Sequence, residues 1–253
     1  MTRSPAIATD GLTKRYGETT AVEDLALQVP TGVVYGFLGP NGAGKTTTMR
    51  MLTGLVEPSE GTAEVAEIDS SDRRRIVDEI GLLPEEPPLY EELTGREQLE
   101  FAADLREIPF EQVADRALDL CDELGLTEDL DRRIDGYSKG MRQKTAFVQT
   151  VQHDPAVVFL DEPTSGLDPR AAKTLRELIV DLAAEDTTVF LSTHILPVVE
   201  EIADEVGVLH DGSLVAEGPP GDLIGSVESE GDADLEDAFL ALTSEQAEAY
   251  AAE

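Results

Sequence analysis

Short apolar runs alternate with segments of helical periodicity along most of this chain. Val33 to Leu38, Val157 to Leu160 and Thr188 to Leu191 have the length and composition of buried strands. A segment with helical character follows each of them, beginning with Thr46 to Leu55 after the first strand. Because parallel strands are joined by crossover helices, this alternation predicts an α/β fold with a mainly parallel sheet and helices on its faces.

Two regions depart from this alternation. Ala6 to Val29 predicts short strands broken at Tyr16 and Gly17, which indicates an antiparallel β portion near the N-terminus. Between Leu89 and His153 the pattern predicts helices only, which indicates a helical subdomain inserted into the α/β core. The predicted helices are Thr94 to Arg106, Phe110 to Leu124 and Lys139 to Gln152.

A pair of strands ends the α/β pattern. Val206 to Leu209 and Leu214 to Ala216 flank a turn and predict the last two strands. We therefore expect one α/β domain over residues 1–224, with its helical subdomain at about 89–153.

The tail over residues 225–253 has a different character. Gly225 to Asp234 is acidic and predicts a mobile linker. After it, Leu235, Phe239 and Leu242 recur at helical spacing, so a short amphipathic helix is expected at the end of the chain.

The chain is strongly acidic. Its 53 Asp and Glu residues against 19 Lys and Arg residues give a formal net charge of −34, so we expect no nucleic-acid partner. Acidic groups at this density repel one another in dilute buffer, and concentrated salt screens the repulsion. The acid-rich, lysine-poor composition resembles proteins of salt-accumulating halophiles. An acidic protein of an ordinary cytoplasm would explain the motifs equally well but leaves the charge without a reason.

The cysteine content and the hydropathy of the sequence indicate the cellular location that we expect for the chain. The single cysteine, Cys121, lies in an apolar-periodic stretch and excludes a disulfide within the chain. The first residues, M-T-R-S-P, lack an apolar signal core, and no run approaches the roughly 18 apolar residues that span a bilayer. We expect a cytoplasmic protein that reaches the cytoplasmic face of the membrane only through a partner.

A glycine-rich loop lies between the first buried strand and its helix, in the context that a phosphate-binding loop requires. Its glycines let successive backbone amides point at phosphates, Lys45 is placed to reach the outer phosphates, and Thr46 offers a hydroxyl to Mg²⁺. The loop consists of Gly39, Pro40, Asn41, Gly42, Ala43, Gly44, Lys45, Thr46 and Thr47.

Two carboxylates end the strand that begins at Val157. Asp161 closes an apolar strand, where a carboxylate needs a cation or an amide, and we place it beside the Mg²⁺. Glu162 points to the opposite side of the strand end and is the candidate for orienting and deprotonating the attacking water. Taken alone, Glu162 would be interpreted as a solvated carboxylate at the end of a strand. Its neighbour Asp161 favours the catalytic interpretation instead.

A second anion site is predicted at the segment S-K-G-M-R-Q. Ser138 can cap a helix that begins at Lys139, and Gly140 leaves the first turn of that helix bare. One chain rarely folds two such sites onto one phosphate, so a head-to-tail pair would complete each ATP site with Ser138 and Gly140 of the other chain. In isolation the tetrapeptide Y-S-K-G would be only a capped helix; its position before the Asp161 strand favours the anion site.

These motifs together resemble the nucleotide-binding subunits of ATP-binding cassette (ABC) transporters, from about Thr9 to Gly218. The resemblance rests on the Walker A loop Gly39 to Thr46, the signature motif Y-S-K-G-M-R-Q from Tyr137, the Walker B strand V-V-F-L-D-E, the D-loop Ser165-Gly166-Leu167-Asp168, and the switch histidine His194.

The resemblance implies ATP and Mg²⁺ as cofactors and assigns roles to individual residues. Tyr16 would stack on adenine, Glu162 would be the catalytic carboxylate, and His194 would contact the γ-phosphate. Asp168 and the signature residues would complete the nucleotide site of a partner, which is a second copy of this chain or a related cassette subunit.

Two positions depart from the family pattern. Glu85 stands where the Q-loop usually has glutamine, and we expect it to contact Mg²⁺ or its water. The signature reads Y-S-K-G-M rather than L-S-G-G-Q, a variant that resembles the branch serving drug, antibiotic, sodium or copper export through separate permease subunits.

The predicted function is that of an ATPase subunit that powers a membrane permease, with export favoured over import. A soluble cassette ATPase acting in translation or repair is the alternative, although such relatives tend to carry two cassettes or a long coiled coil. A small phosphate-loop kinase or GTPase is not supported, because no N-K-x-D segment reads guanine.

Overall fold

The computed structural model describes residues 4–225 and 234–251. Its strands are β1 (Ile7–Tyr16), β2 (Thr19–Leu25), β3 (Gln28–Val29), β4 (Val34–Leu38), β5 (Glu60–Val65), β6 (Ile68–Asp69), β7 (Ile80–Leu83), β8 (Val157–Asp161), β9 (Thr188–Thr193), β10 (Glu205–His210) and β11 (Ser213–Gly218). Its helices are α1 (Lys45–Leu52), α2 (Arg73–Glu79), α3 (Gly95–Asp104), α4 (Phe110–Glu123), α5 (Lys139–Val151), α6 (Pro169–Ala184), α7 (Leu196–Ile202), α8 (Pro220–Gly225) and α9 (Leu235–Ala251).

These strands form two sheets. The larger has the order β11-β10-β4-β9-β8-β7, and all neighbours in it are parallel except β10 and β11, which form an antiparallel hairpin. The smaller is antiparallel and has the order β2-β1-β5-β6, with β3 also paired to β1. The predicted fold class, a mainly parallel core with an antiparallel N-terminal portion, is confirmed.

The hydrophobic core lies on both faces of the parallel sheet. On one face, apolar side chains of the sheet pack against helices α4, α5 and α6. On the other, Tyr35, Phe37, Phe159 and Phe190 form a continuous aromatic cluster that packs against the antiparallel sheet. Each of these rings is fully buried, and burying one such ring contributes about 2 to 3 kcal/mol.

The helical subdomain consists of α3, α4 and α5, which pack on one another between β7 and β8. Thr94 and Glu97 form a reciprocal capping box at the start of α3, which explains why this helix begins at Gly95. At the far end, Arg106 donates to the carbonyl oxygens of Val77 and Ile80 and so joins the subdomain to the end of α2.

The sequence pattern did not single out the region between α1 and α3. Strands β5 and β6, helix α2 and strand β7 all lie there. In β5, Ala63 and Val65 alternate inward, which is a half-buried strand pattern that could have been recognised.

The predicted linker falls largely in residues 226–233, outside the described residues. The helix predicted after it is present as α9, which packs on α7, α8 and β11 through Leu235 and Phe239.

Three adjacent parallel strands place the functional residues at one edge of the sheet. β4, β9 and β8 are neighbours, with Leu38 opposite Thr193 and Asp161 opposite Ser192. Since the carboxyl ends of parallel strands meet at the same edge, the segments that follow Leu38, Asp161 and Thr193 converge there.

Candidate functional site

The glycine-rich loop connects β4 to α1 and packs tightly against β2. Gly44 has φ 108°, and a Cβ atom there would lie 2.4 Å from the Ala21 carbonyl oxygen, so only glycine fits. Pro40, Asn41 and Gly42 are exposed. The loop therefore presents its backbone to solvent at the N-terminus of α1, where anions bind well.

Lys45 lies inside this loop and is only 7% exposed. Its ammonium donates to the carbonyl oxygens of Gly39 at 2.6 Å and Pro40 at 3.1 Å. Burial lowers the pKa of Lys45, while the negative charges of Glu162, Asp161 and Glu85 raise it. The negative charges of all three predicted acidic site residues therefore act on the predicted phosphate-binding lysine.

Thr46 and Asp161 come together across the edge of the sheet. The Thr46 hydroxyl donates to Asp161 Oδ2 at 3.2 Å, and both residues line a cavity of about 370 Å³ together with Glu85. Within the described residues, no group of three or more His, Cys, Asp or Glu side chains could hold a metal ion. A hydroxyl and one or two carboxylates nevertheless suit Mg²⁺, which takes few protein ligands when phosphates and water supply the rest.

Glu162 follows β8 with a left-handed backbone, φ 50°. Its amide donates to the Ser192 carbonyl oxygen at 2.9 Å, and its carboxylate turns toward the end of β9. There the His194 amide donates to Oε1 at 2.9 Å, the His194 Nδ1 lies 2.6 Å from Oε1, and the Thr193 hydroxyl donates to Oε2 at 2.9 Å. Sequence reasoning named Glu162 and His194 but missed Thr193, whose only sign was a hydroxyl at the strand end beside His194.

The predicted signature helix is present as α5. The Ser138 side chain is exposed and caps the helix by accepting from the Met141 amide at 3.2 Å. Gly140 faces Gly166, since a Cβ atom at Gly140 would lie 3.2 Å from the Gly166 carbonyl oxygen. The N-terminal tip of α5 therefore packs against Gly166, which lies in the D-loop four residues after Glu162.

Asp168 caps a different helix. Its exposed carboxylate accepts from the amides of Arg170 and Ala171, each at 3.0 Å, at the start of α6. These bonds lower the pKa of Asp168. Asp168 therefore fixes the end of the D-loop in its own chain, and its side chain is engaged there rather than at its own phosphate loop.

Tyr16 ends β1 and is 49% exposed. The Lys14 ammonium lies 5.2 Å from the centre of its ring, a cation–π contact. Tyr16 pairs with Thr19 in the β1–β2 hairpin, whose Ala21 packs against Gly44. The ring is therefore held on the hairpin that flanks the phosphate loop.

The sequence matches the ABC transporter family over residues 22–165, which is more than half of the chain and includes the phosphate loop, the α5 tip and the two strand-end carboxylates. The chain belongs to the ABC transporter ATP-binding family. It is accordingly an ATPase that binds ATP.

Relatives of this ABC ATPase align along most of their length. The bacitracin transport ATP-binding protein BcrA of Bacillus licheniformis is 40% identical over 218 residues, which cover 85% of this chain and 70% of that protein. The daunorubicin/doxorubicin resistance ATP-binding protein DrrA of Streptomyces peucetius is 40% identical over 225 residues, 88% of this chain and 68% of that protein. The drug and antibiotic export branch inferred from the signature motif is confirmed.

A solved structure has the same fold. The structure described as an ATP binding subunit of an ABC transporter superposes with a TM-score of 0.87 and 31% identity, and it covers 94% of this chain and 99% of its own. Within residues 4–225 and 234–251, none of the helices has the length and apolar character needed to cross a bilayer.

Proposed function

We propose that two copies of this ABC ATPase, or this chain and a related one, close head to tail around two ATP molecules and drive a separate membrane permease. The proposal is carried by the exposed Ser138 tip of α5, a second anion site on the same chain as the phosphate loop. In such a pair, Ser138 and Gly140 of one chain complete the phosphate loop of the other.

Within each site the residues take distinct roles. The loop amides from Gly39 to Thr47 and the Lys45 ammonium bind the phosphates, which requires Lys45 to leave the carbonyl oxygens that now hold it. Tyr16 stacks on the base. Mg²⁺, when bound with ATP, neutralises charge that develops on the phosphates. Thr46, Asp161 and Glu85 hold it directly or through water.

Glu162 is the residue that acts on water in this proposal. Its carboxylate is held at both oxygens, so it can orient a water molecule and take up its proton without first reorganising. His194 contacts both Glu162 and the γ-phosphate. Since its side chain is 63% exposed, it can move toward a nucleotide when one binds.

Attachment to a permease is supported by an exposed apolar surface on the helical subdomain. Tyr90 is 54% exposed and packs edge-on against Phe101, and Leu105, one turn further along the same helical segment, is 69% exposed. Contact surfaces are marked by exposed apolar groups that form a contiguous patch, and Tyr90, Phe101 and Leu105 are the candidates for such a patch. We propose that this face docks on the cytoplasmic side of the permease, and the relatives named for antibiotic transport and resistance support export.

Mixing two inactive variants tests the shared site. Lys45→Met removes the charge of the phosphate loop, and Ser138→Asp keeps a good helix cap while placing a negative charge at the anion site. Each variant alone should hydrolyse ATP poorly. A 1:1 mixture should recover up to about a quarter of the unmutated rate, because half of random pairs are mixed and each mixed pair has one complete site of two.

Ser138→Asn is the matched control for this experiment. Asn caps a helix as well as Asp does but carries no charge, so this variant should keep most of its activity. If the mixture recovers nothing while Ser138→Asp alone is inactive, each chain completes its own site and the proposed pair is wrong.

A further inference from the structure

The partners of the Thr193 hydroxyl determine which hydrogen bond it accepts and which it donates. Its oxygen accepts from the Ile195 amide at 3.1 Å, and an amide can only donate. The hydroxyl proton is therefore free to point at Glu162 Oε2, which lies 2.9 Å away. Because Thr193 is 1% exposed, solvent does not compete for this bond.

The two oxygens of Glu162 are held differently. Oε1 receives the His194 amide and ring, and the side chain that carries this ring is 63% exposed. Oε2 receives the buried Thr193 hydroxyl, which belongs to a central strand. The bond to Thr193 therefore persists if the His194 ring moves, and together with the His194 amide it fixes the plane of the carboxylate.

The backbone of Glu162 adds to the need for such a restraint. A glutamate at φ 50° is in a sparsely populated region and stays there only when its surroundings hold it. Its amide is bonded to the Ser192 carbonyl oxygen, and its carbonyl oxygen accepts from the Ser165 amide at 3.0 Å. The side-chain bond to Thr193 completes this set.

Thr193 also ties Glu162 to the phosphate loop. It is paired with Leu38, the last residue of β4, and Gly39 begins the loop directly after it. A displacement of Thr193 would therefore change where Glu162 lies relative to the bound phosphates. Misplacement of a catalytic group by about 1 Å can cost a hundredfold in rate.

We propose that Thr193 is a positioning residue for ATP hydrolysis, whose hydroxyl holds Glu162 Oε2 so that the carboxylate keeps one orientation toward the attacking water. The inference rests on the proposed role of Glu162. Thr193 acts through that carboxylate and transfers no proton itself.

The test compares Thr193→Val, which removes the hydroxyl at nearly constant shape, with Thr193→Ser, which keeps it. The full chain is assayed with Mg²⁺ and ATP in concentrated salt for kcat and KM, and separately for its affinity for a fluorescent ATP analogue. Thr145→Val is the matched control. It removes another fully buried threonine hydroxyl, one that has no hydrogen-bond partner within the described part of the chain.

We expect Thr193→Val to lower kcat about 10- to 100-fold, the range for losing a hydrogen bond to a charged group. KM and analogue affinity should change less than about threefold, and Thr193→Ser should retain most of kcat. Thr145→Val should resemble the unmutated chain. Equal losses in the Val and Ser variants would show a merely structural role and overturn the proposal.

A Thr193→Val variant with an unchanged or higher kcat would also overturn the proposal. The Thr193 hydroxyl would then contribute nothing to hydrolysis or would hold Glu162 in a less active orientation. If the Val variant does not fold, Thr193→Ala is judged by the same criteria. Glu162→Gln separates the two proposals. Normal hydrolysis by Glu162→Gln refutes the role of Glu162 itself, whereas an inactive Glu162→Gln beside an active Thr193→Val refutes only this inference.

Discussion

The side chain of Lys139 lies across Gly166, so closely that a Cβ atom at Gly166 would be 2.6 to 2.9 Å from its Cδ, Cγ and Cε atoms. The Lys139 ammonium donates to Ser165 Oγ at 3.1 Å. This contact gives a physical reason for lysine in the variant signature motif, because its side chain joins the tip of α5 to the D-loop of the same chain. Both segments would reach the partner's nucleotide in the proposed pair.

Replacing Gly166 by Ala should lower the free energy of unfolding by about 1 to 2 kcal/mol, measured by urea denaturation. The backbone at φ 76° disfavours a side chain, and the added methyl group displaces Lys139. Gly125→Ala is the matched control. Gly125 has φ 65° but open space around its Cβ position, so this variant carries the backbone cost alone.

The difference between the two alanine variants measures the contact with Lys139. That difference should disappear when Lys139→Ala is combined with Gly166→Ala, because the displaced side chain is then absent. If Gly166→Ala and Gly125→Ala lose the same free energy in the presence of Lys139, the packing of Lys139 on the D-loop contributes nothing.

Replacing Glu162 by Gln should produce a stable ATP-bound dimer. Gln keeps the shape of the side chain but cannot take up the proton of water, so the closed pair forms and does not hydrolyse its ATP. Light scattering after size-exclusion chromatography in concentrated salt, with Mg²⁺ and ATP, gives the mass. Without nucleotide the same variant should be monomeric.

The control for this trapped dimer adds Ser138→Asp to Glu162→Gln. The extra charge at the α5 tip should prevent closure, so the double variant should remain a monomer with ATP. Monomers of Glu162→Gln itself at saturating ATP in concentrated salt would speak against the proposed pair.

The sequence predicted the parts of the site that are local. The glycine loop after β4, the carboxylates at the end of β8 and the Ser138 cap of α5 each depend on a few adjacent residues, and the structure has all of them. Parallel pairing then explains why the ends of β4, β8 and β9 meet, which needs only the element order.

Contacts between distant segments were not predictable in this way. Thr193 bonds to Glu162 from 31 positions away, and Lys139 meets Ser165 from 26 positions away. Arg106 carried no motif and appeared as one more charge on a helix, yet it donates to two carbonyl oxygens of the core. Such bonds depend on how distant segments pack against one another. Neither the periodicity nor the composition of the sequence predicts this packing.

Salt should stabilise this chain, because its 53 acidic residues far outnumber its 19 Lys and Arg residues and repel one another. Glu64 and Asp69 lie directly opposite each other on β5 and β6, and both are exposed. Like charges at opposite positions repel. The free energy of unfolding should therefore rise between about 0.1 M and about 1 M KCl, where the Debye length falls to about 3 Å.

Glu64→Lys tests this electrostatic explanation at one pair. It should gain about 0.5 to 1 kcal/mol at low salt by turning repulsion into attraction, and the gain should shrink at about 1 M KCl. Glu64→Gln, which only removes the repulsion, should gain less. A salt-independent gain would mean that strand propensity, rather than charge, accounts for the effect.

The Ile80 carbonyl oxygen is shared by two side chains at the junction of the helical subdomain and the core. His153 Nε2 lies 3.1 Å from it, and Arg106 Nη2 donates to it at the same distance. The pKa of His153 is lowered to about 4, mainly by burial and also by the positive charge of Arg106, against the opposing effects of the Ile80 bond and of Asp154 and Asp78.

This lowered pKa predicts a loss of stability in acid. Between pH 6.5 and about 4 the unfolded chain protonates His153 and the folded chain does not, so the free energy of unfolding falls as pH falls through this window. The slope from this group approaches about 1.4 kcal/mol per pH unit. Above pH 6.5 both states are neutral and the contribution is constant.

His153→Gln removes the titrating group and keeps an amide that can donate to Ile80. Urea denaturation of both proteins should give a difference in the free energy of unfolding that is constant above about pH 7. Toward pH 4 the unmutated chain should lose more of its free energy of unfolding than the variant does. Comparing the two proteins at each pH cancels the relief of carboxylate repulsion, which acts in the opposite direction in a chain of net charge −34. A difference that stays constant down to pH 4 would mean that His153 is protonated in the folded chain, so that its burial beside Arg106 does not exclude the charge.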